Sequence, residues 1–158
     1  MEPEDRATAE EQARHRLALA PIKARLKDDG FYAYETFDDQ GRLIIAADDE
    51  AGRVDVRVGS DGFAVEVWGG SPGLFAEEDA EYRRRTLERL VRIQLPALNR
   101  GMLAPHQRAL WDETEGGVQV RLSYELPFTR AADIATFVRE RFVELDEVLT
   151  FVEGQVTP

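Results

Sequence analysis

Residues 42–68 read RLIIAADDEAGRVDVRVGSDGFAVEVW. Three apolar runs are separated by DDEAG and GSDG, clusters of Asp, Ser and Gly whose side chains and backbone freedom favour tight turns. In RVDVRV strict alternation places Val54, Val56 and Val58 on one face and Asp55 and Arg57 on the other, and FAVEVW repeats this with Phe63, Val65 and Val67. A period of two is the mark of a half-buried strand. RLIIAA is apolar throughout, which suits a strand covered on both faces. Connections this short join antiparallel neighbours, so the stretch predicts an antiparallel meander.

Outward from this core the period changes. Upstream, FYAYETF has the aromatic composition of a strand, with DDQG as the turn into RLIIAA. Before it, residues 4–28 predict a helix with Ala13, Leu17, Ile22 and Leu26 as its apolar stripe, a bend or break at Pro21, a stop at Gly30, and a flexible, frayed start over residues 1–15. Downstream, residues 76–100 predict a helix with Leu87, Leu90, Val91, Leu95 and Leu98 on one side, kinked by Pro96 and stopped by Asn99 and Gly101. HQRALWDET and VQVRLSYEL, joined through EGG, predict a hairpin. The last helix is expected over 130–153, where Ile134, Phe137, Val138, Leu145, Val148, Leu149 and Val152 recur at three and four, with Thr129 as its cap. The expected class is α+β, an antiparallel sheet with helices in the order α-β-β-β-β-α-β-β-α. Without an internal repeat or linker, residues 1–158 are read as a single domain.

Composition narrows the function. The chain has no cysteine, which excludes thiolate metal sites, disulfides and cysteine nucleophiles. Its net charge of -11 repels phosphate backbones and anionic lipid, so a basic protein is the favoured partner and direct nucleic-acid binding is not expected. No apolar run approaches a membrane span and the N-terminus lacks a secretory pattern, so a cytoplasmic location is expected.

GGSPG at 69–73 matches G-x-S-x-G in letters and sits between strand and helix patterns, which makes Ser71 a formal candidate nucleophile. The oxyanion donor of that motif is the backbone N–H after the serine. Here that residue is Pro72, which has none. His15 and His106 have no partner at metal-ligand spacing. Asp38-Asp39 and Asp48-Asp49-Glu50 read as turns, since neither follows the calcium-loop spacing. Trp68 and Trp111 lie in strand patterns and read as core. Arg83, Arg84, Arg85, Arg89 and Arg92 form the candidate nucleic-acid contact, although Glu81 and Glu88 stand four residues before Arg85 and Arg92 and are expected to pair with them. No catalytic, cofactor or metal residue is assigned, so the chain is not read as an enzyme.

A short, acidic, cysteine-free chain with an N-terminal helix, the meander above, the helix EYRRRTLERLVRIQLPALNRG, the hairpin RALWDETEGGVQVRLSYEL and the amphipathic helix AADIATFVRERFVELDEVLTFVE resembles the YbjN-like proteins over residues 15–153. Their fold is similar to that of type III secretion chaperones. The chain shows four strands before the middle helix where secretion chaperones have three. The resemblance implies a non-enzymatic, chaperone-like homodimer, without cofactor, that binds another protein in a bacterial stress or regulatory pathway. A basic client, such as a nucleic-acid-binding or repair protein, fits the charge. Leu95, Leu98, Met102 and Leu103, around the expected kink, are the candidate protein interface, and the open edges of a meander sheet are a second place for another chain to pair.

Overall fold

The computed structural model describes residues 3–75 and 78–156, with side chains from Thr8 onward. Along the chain run α1 (Pro3–Asp28), β1 (Tyr32–Phe37), β2 (Leu43–Asp49), β3 (Gly52–Val58) and β4 (Gly62–Ser71). There follow α2 (Ala80–Arg89), a π-helical turn (Leu90–Gln94), α3 (Leu95–Gly101), β5 (Gln107–Asp112), β6 (Gly117–Pro127), a 3-10 segment (Phe128–Asp133) and α4 (Ile134–Val156). The strands make one six-stranded antiparallel sheet in the order β1-β2-β3-β4-β6-β5, so the fold is α+β and four strands precede the middle helix. The chain divides into two compact units, Met1–Val67 with Tyr124–Glu140 and Trp68–Ser123 with Arg141–Pro158.

In the first unit the register sets Ala33 opposite Ala47, Ala47 opposite Val54 and Ile45 opposite Val56. Opposed residues share a face, and these five are all buried. Leu43 to Ala47 are buried without interruption, as a strand covered on both sides should be. On α1 the buried stripe is Leu19, Ile22 and Leu26. Each such side chain, moved from water to a packed interior, contributes roughly 1.5–3 kcal/mol. The expected stripe through Ala13 and Leu17 is corrected: Leu17 is 78% exposed, because five residues from Leu17 to Ile22 turn a helix well past one revolution. Nor does Pro21 interrupt α1. It sits on the solvent side, as does Leu17, whose carbonyl loses the donor and is left facing water.

The β1–β2 turn is held by Asp38. Its carboxylate accepts the backbone N–H of Gln40 at 3.0 Å and of Arg42 at 2.9 Å, and the Arg42 Nε–H at 2.8 Å. Gly41, at φ 75°, occupies the left-handed position that this three-residue loop requires. Arg139 ties three segments together: Nε donates to Asp29 Oδ2 at 2.9 Å, Nη2 to the Asp29 carbonyl at 3.0 Å, Nη1 to Asp49, and the guanidinium lies 4.3 Å from the Phe31 ring centroid. The hydrogen bond to Asp29, opposed by partial burial and reinforced by Asp49, holds the guanidinium pKa above its ordinary value.

In the second unit Asp79 caps α2, accepting the Tyr82 N–H at 3.0 Å. The single kinked helix expected over 76–100 is instead three segments. Pro96 has no N–H for the carbonyl of Arg92, four residues back, and its ring crowds that carbonyl. The chain widens by one residue, and the Leu95 N–H reaches the Leu90 carbonyl. The widened turn breaks the expected stripe: Leu90, Leu95 and Leu98 point inward, whereas Val91 is 45% exposed. Across the unit, Ala109, Val118, Val120, Leu122, Phe142, Leu145 and Val152 are buried. α4 begins at Ile134 rather than at the expected Thr129 cap, because Arg130, at φ -106° and ψ 20°, interrupts the helical run.

Candidate functional site

The two outer strands of the sheet differ. Just after β1 the Asp38 N–H donates to the Arg42 carbonyl at 2.9 Å, and Asp38 and Arg42 continue the register that pairs Phe37 with Leu43. Antiparallel pairs alternate between bonded and non-bonded, so Thr36, Tyr34 and Tyr32 face β2 with their main-chain groups. Ala33, Glu35 and Phe37 therefore turn theirs away from the sheet. These outward groups have no hydrogen-bond partner among the described residues. Around them Tyr32 is 72% and Phe37 50% exposed, and the Tyr32 and Tyr34 rings lie 5.5 Å apart. Glu35 meets Arg16 of α1 at 2.5 Å, and Asp38 and Asp39 follow at the strand's end.

At β5 the Ser123 N–H donates to the His106 carbonyl at 2.9 Å, so by the same alternation Gln107, Ala109 and Trp111 are the outward residues. One of these is satisfied at both groups and another at its N–H. The Gln107 N–H donates to the Ala104 carbonyl at 2.9 Å. Asn99 of α3 accepts the Ala109 N–H on Oδ1 and donates Nδ2 to the Ala109 carbonyl, each at 2.9 Å. One carboxamide thus stands where a further strand would pair. The expectation that both sheet edges are unprotected is corrected here: the middle of the β5 edge is covered, whereas at β1 the outward main chain of the exposed Glu35 and Phe37 has no such cover among the described residues and that of Ala33 is buried.

The remaining candidates are dispersed. The Ser71 hydroxyl donates to Glu153, and His106 Nε2 lies 3.2 Å from Glu144 Oε2, so serine and histidine are each engaged with a different carboxylate. His15 is 3.8 Å from Glu11, one helical turn away. Asp38 and Asp49 accept turn hydrogen bonds, and no group of three or more His, Asp or Glu among the described residues is placed to hold a metal ion. Trp68 and Trp111 are half-buried, with Arg121 5.4 Å from the Trp68 ring centroid. Arg83, Arg84, Arg85, Arg89 and Arg92 are all exposed. The expected pairs with Glu81 and Glu88 do not form; Arg84 meets Glu88 at 3.5 Å instead. Of the four proposed interface residues, Leu95 and Leu98 are in the core, Leu103 is half-buried, and Met102 is 63% exposed. No helix among the described residues is long and apolar enough to cross a membrane.

Sequence reasoning read Asn99 only as a helix stop, and no local signal links it to a strand ten residues on. Asn is common after helices for its backbone conformation, which masks a tertiary role. No family model, curated protein or solved structure matches the chain.

Proposed function

We propose that the chain is a chaperone-like protein-binding module of the YbjN type, with the fold of the type III secretion chaperones, that takes an extended basic segment of another protein along β1. The observation that carries this reading is the outward main chain of the exposed Glu35 and Phe37, which has no hydrogen-bond partner among the described residues. An added strand would pair with these groups, and side chains at alternate positions would set the selection. Asp39 and the overall charge of -11 favour Lys or Arg in that strand, and Tyr32 and Phe37 favour apolar side chains beside them. A homodimer belongs to the same reading through Met102 and Leu103, and light scattering would then give twice 17.9 kDa. The pathway is a bacterial stress or regulatory one, and the module acts without cofactor or catalytic residue.

The test uses a fluorescent peptide alternating Lys with Val, read by anisotropy against the wild type and Glu35→Pro. Proline at 35 removes an outward N–H and the ion pair with Arg16 while leaving the β1–β2 ladder intact, and Glu35→Ala, which loses the ion pair but keeps the N–H, is the control. Binding by the wild type and its loss in a variant that keeps its melting temperature would support the reading. Equal binding by both proteins, or none by the wild type, would refute docking at this edge.

A further inference from the structure

We infer that the middle helical segment carries a second docking surface, fitted to an acidic amphipathic segment of a partner protein. It involves none of the residues of the β1 edge and stands independently of that reading. From Glu81 to Ile93 the sequence holds five arginines against two glutamates, a net of +3 in a chain of -11. α2 buries none of its residues. Among the described residues only Arg84 of the five arginines has an ion-pair partner, Glu88.

Charge alone would describe a solvated helix. The second feature is apolar: Ile93 is 61% exposed and follows Arg89 by four residues, on the side of the helix that Arg85 and Arg89 share, while Val91, 45% exposed, lies on another side. An exposed β-branched side chain set among arginines matches a partner that offers apolar groups flanked by carboxylates, because each arginine fork then finds an acceptor as the apolar groups leave water.

Other occupants fit less well. A second copy would bring arginines against arginines. A nucleic acid meets the repulsion of the whole chain and finds no exposed aromatic for stacking, Tyr82 being half-buried. A membrane surface calls for a continuous apolar face apart from the basic one, whereas here the two are mixed.

The experiment measures anisotropy of a fluorescein-labelled helical peptide of Glu, Ala and Leu with its leucines on one stripe. The comparisons are a scrambled peptide of the same composition, a single-stranded DNA oligonucleotide and phosphatidylglycerol vesicles. The proteins are wild type, Arg85→Glu with Arg89→Glu, and Ile93→Ser, all at exposed positions; Arg92→Glu replaces any variant that melts early. The expected result is binding of the ordered peptide that weakens at least about tenfold in the charge variant and in the apolar variant, and more weakly for the scrambled peptide. Absent binding, equal binding of the scrambled peptide, retention in either variant, or preference for DNA or vesicles would each overturn the proposal.

Discussion

Asn99 and Ala109 are joined by two hydrogen bonds of 2.9 Å, the side chain of one meeting both main-chain groups of the other. Ala109 is fully buried, so its N–H and carbonyl have little access to water if that side chain is lost. The pairing closes the middle of the β5 edge and holds α3 against it.

Asn99→Ala should therefore destabilise by about 1–3 kcal/mol, the range for leaving buried main-chain groups unsatisfied. It should also promote self-association, because the exposed edge becomes a pairing template. Urea unfolding and light scattering of the same samples check both effects. Asn99→Asp should not restore stability, since its carboxylate accepts the Ala109 N–H but faces the Ala109 carbonyl without a donor.

Gly117 is the second sensitive point. A β-carbon there would overlap the carbonyl oxygen of Ser71, and that neighbour is backbone that cannot swing away. Gly117→Ala should cost more than about 3 kcal/mol, beyond ordinary surface changes. Thermal melting against Gly116→Ala separates crowding from conformation: Gly116 has open space but sits at φ 66°, so its alanine variant should lose only the smaller left-handed penalty.

Asp38 sets a pH dependence. Burial is the largest single influence and raises its pKa, but hydrogen bonds from Arg42 main chain and side chain and from Gln40, with the Arg42 charge, together outweigh it, and the pKa lies below the ordinary 3.8. A depressed carboxylate pKa stabilises the fold above the unfolded value, and this contribution disappears as pH falls through the folded value. The stability difference between wild type and Asp38→Ala should be constant from neutral pH down to about 5 and shrink below about 4. Denaturant unfolding of the pair from pH 7 to 3 measures it; a difference that grows on acidification would contradict the assignment.

Arg139→Lys tests the tie between Asp29, Phe31 and Asp49. A lysine cannot make the several directed bonds of the guanidinium or stack as it does. Because the side chain is 43% exposed, solvent screening limits the loss to about 1 kcal/mol, read by urea unfolding. Raising the salt concentration should narrow the gap between the two proteins.

Much of the fold was legible because it rests on local pattern. The alternation in RVDVRV and FAVEVW, the unbroken LIIAA run and the three-four spacing of α4 each report which side chains leave water, and the structure buries Val54, Val56, Val65, Val67, Ile134, Val138 and Leu145 accordingly. The errors fall where a single residue disturbs the period. Pro96 widens the middle helix and turns Val91 out, Arg130 delays α4, and on α1 Leu19 rather than the expected Leu17 is the buried side chain.

The sequence by itself determined the α+β class, the antiparallel meander, the order of elements and the acidic charge, because periodicity, turn chemistry and composition act over a few residues at a time. Only the tertiary structure decided which edge of the sheet is open. That depends on Asn99 reaching Ala109 and on the hydrogen-bond phase of β1, both fixed by how separate elements pack, and hydrogen bonding between residues far apart along the chain leaves no periodic trace in it.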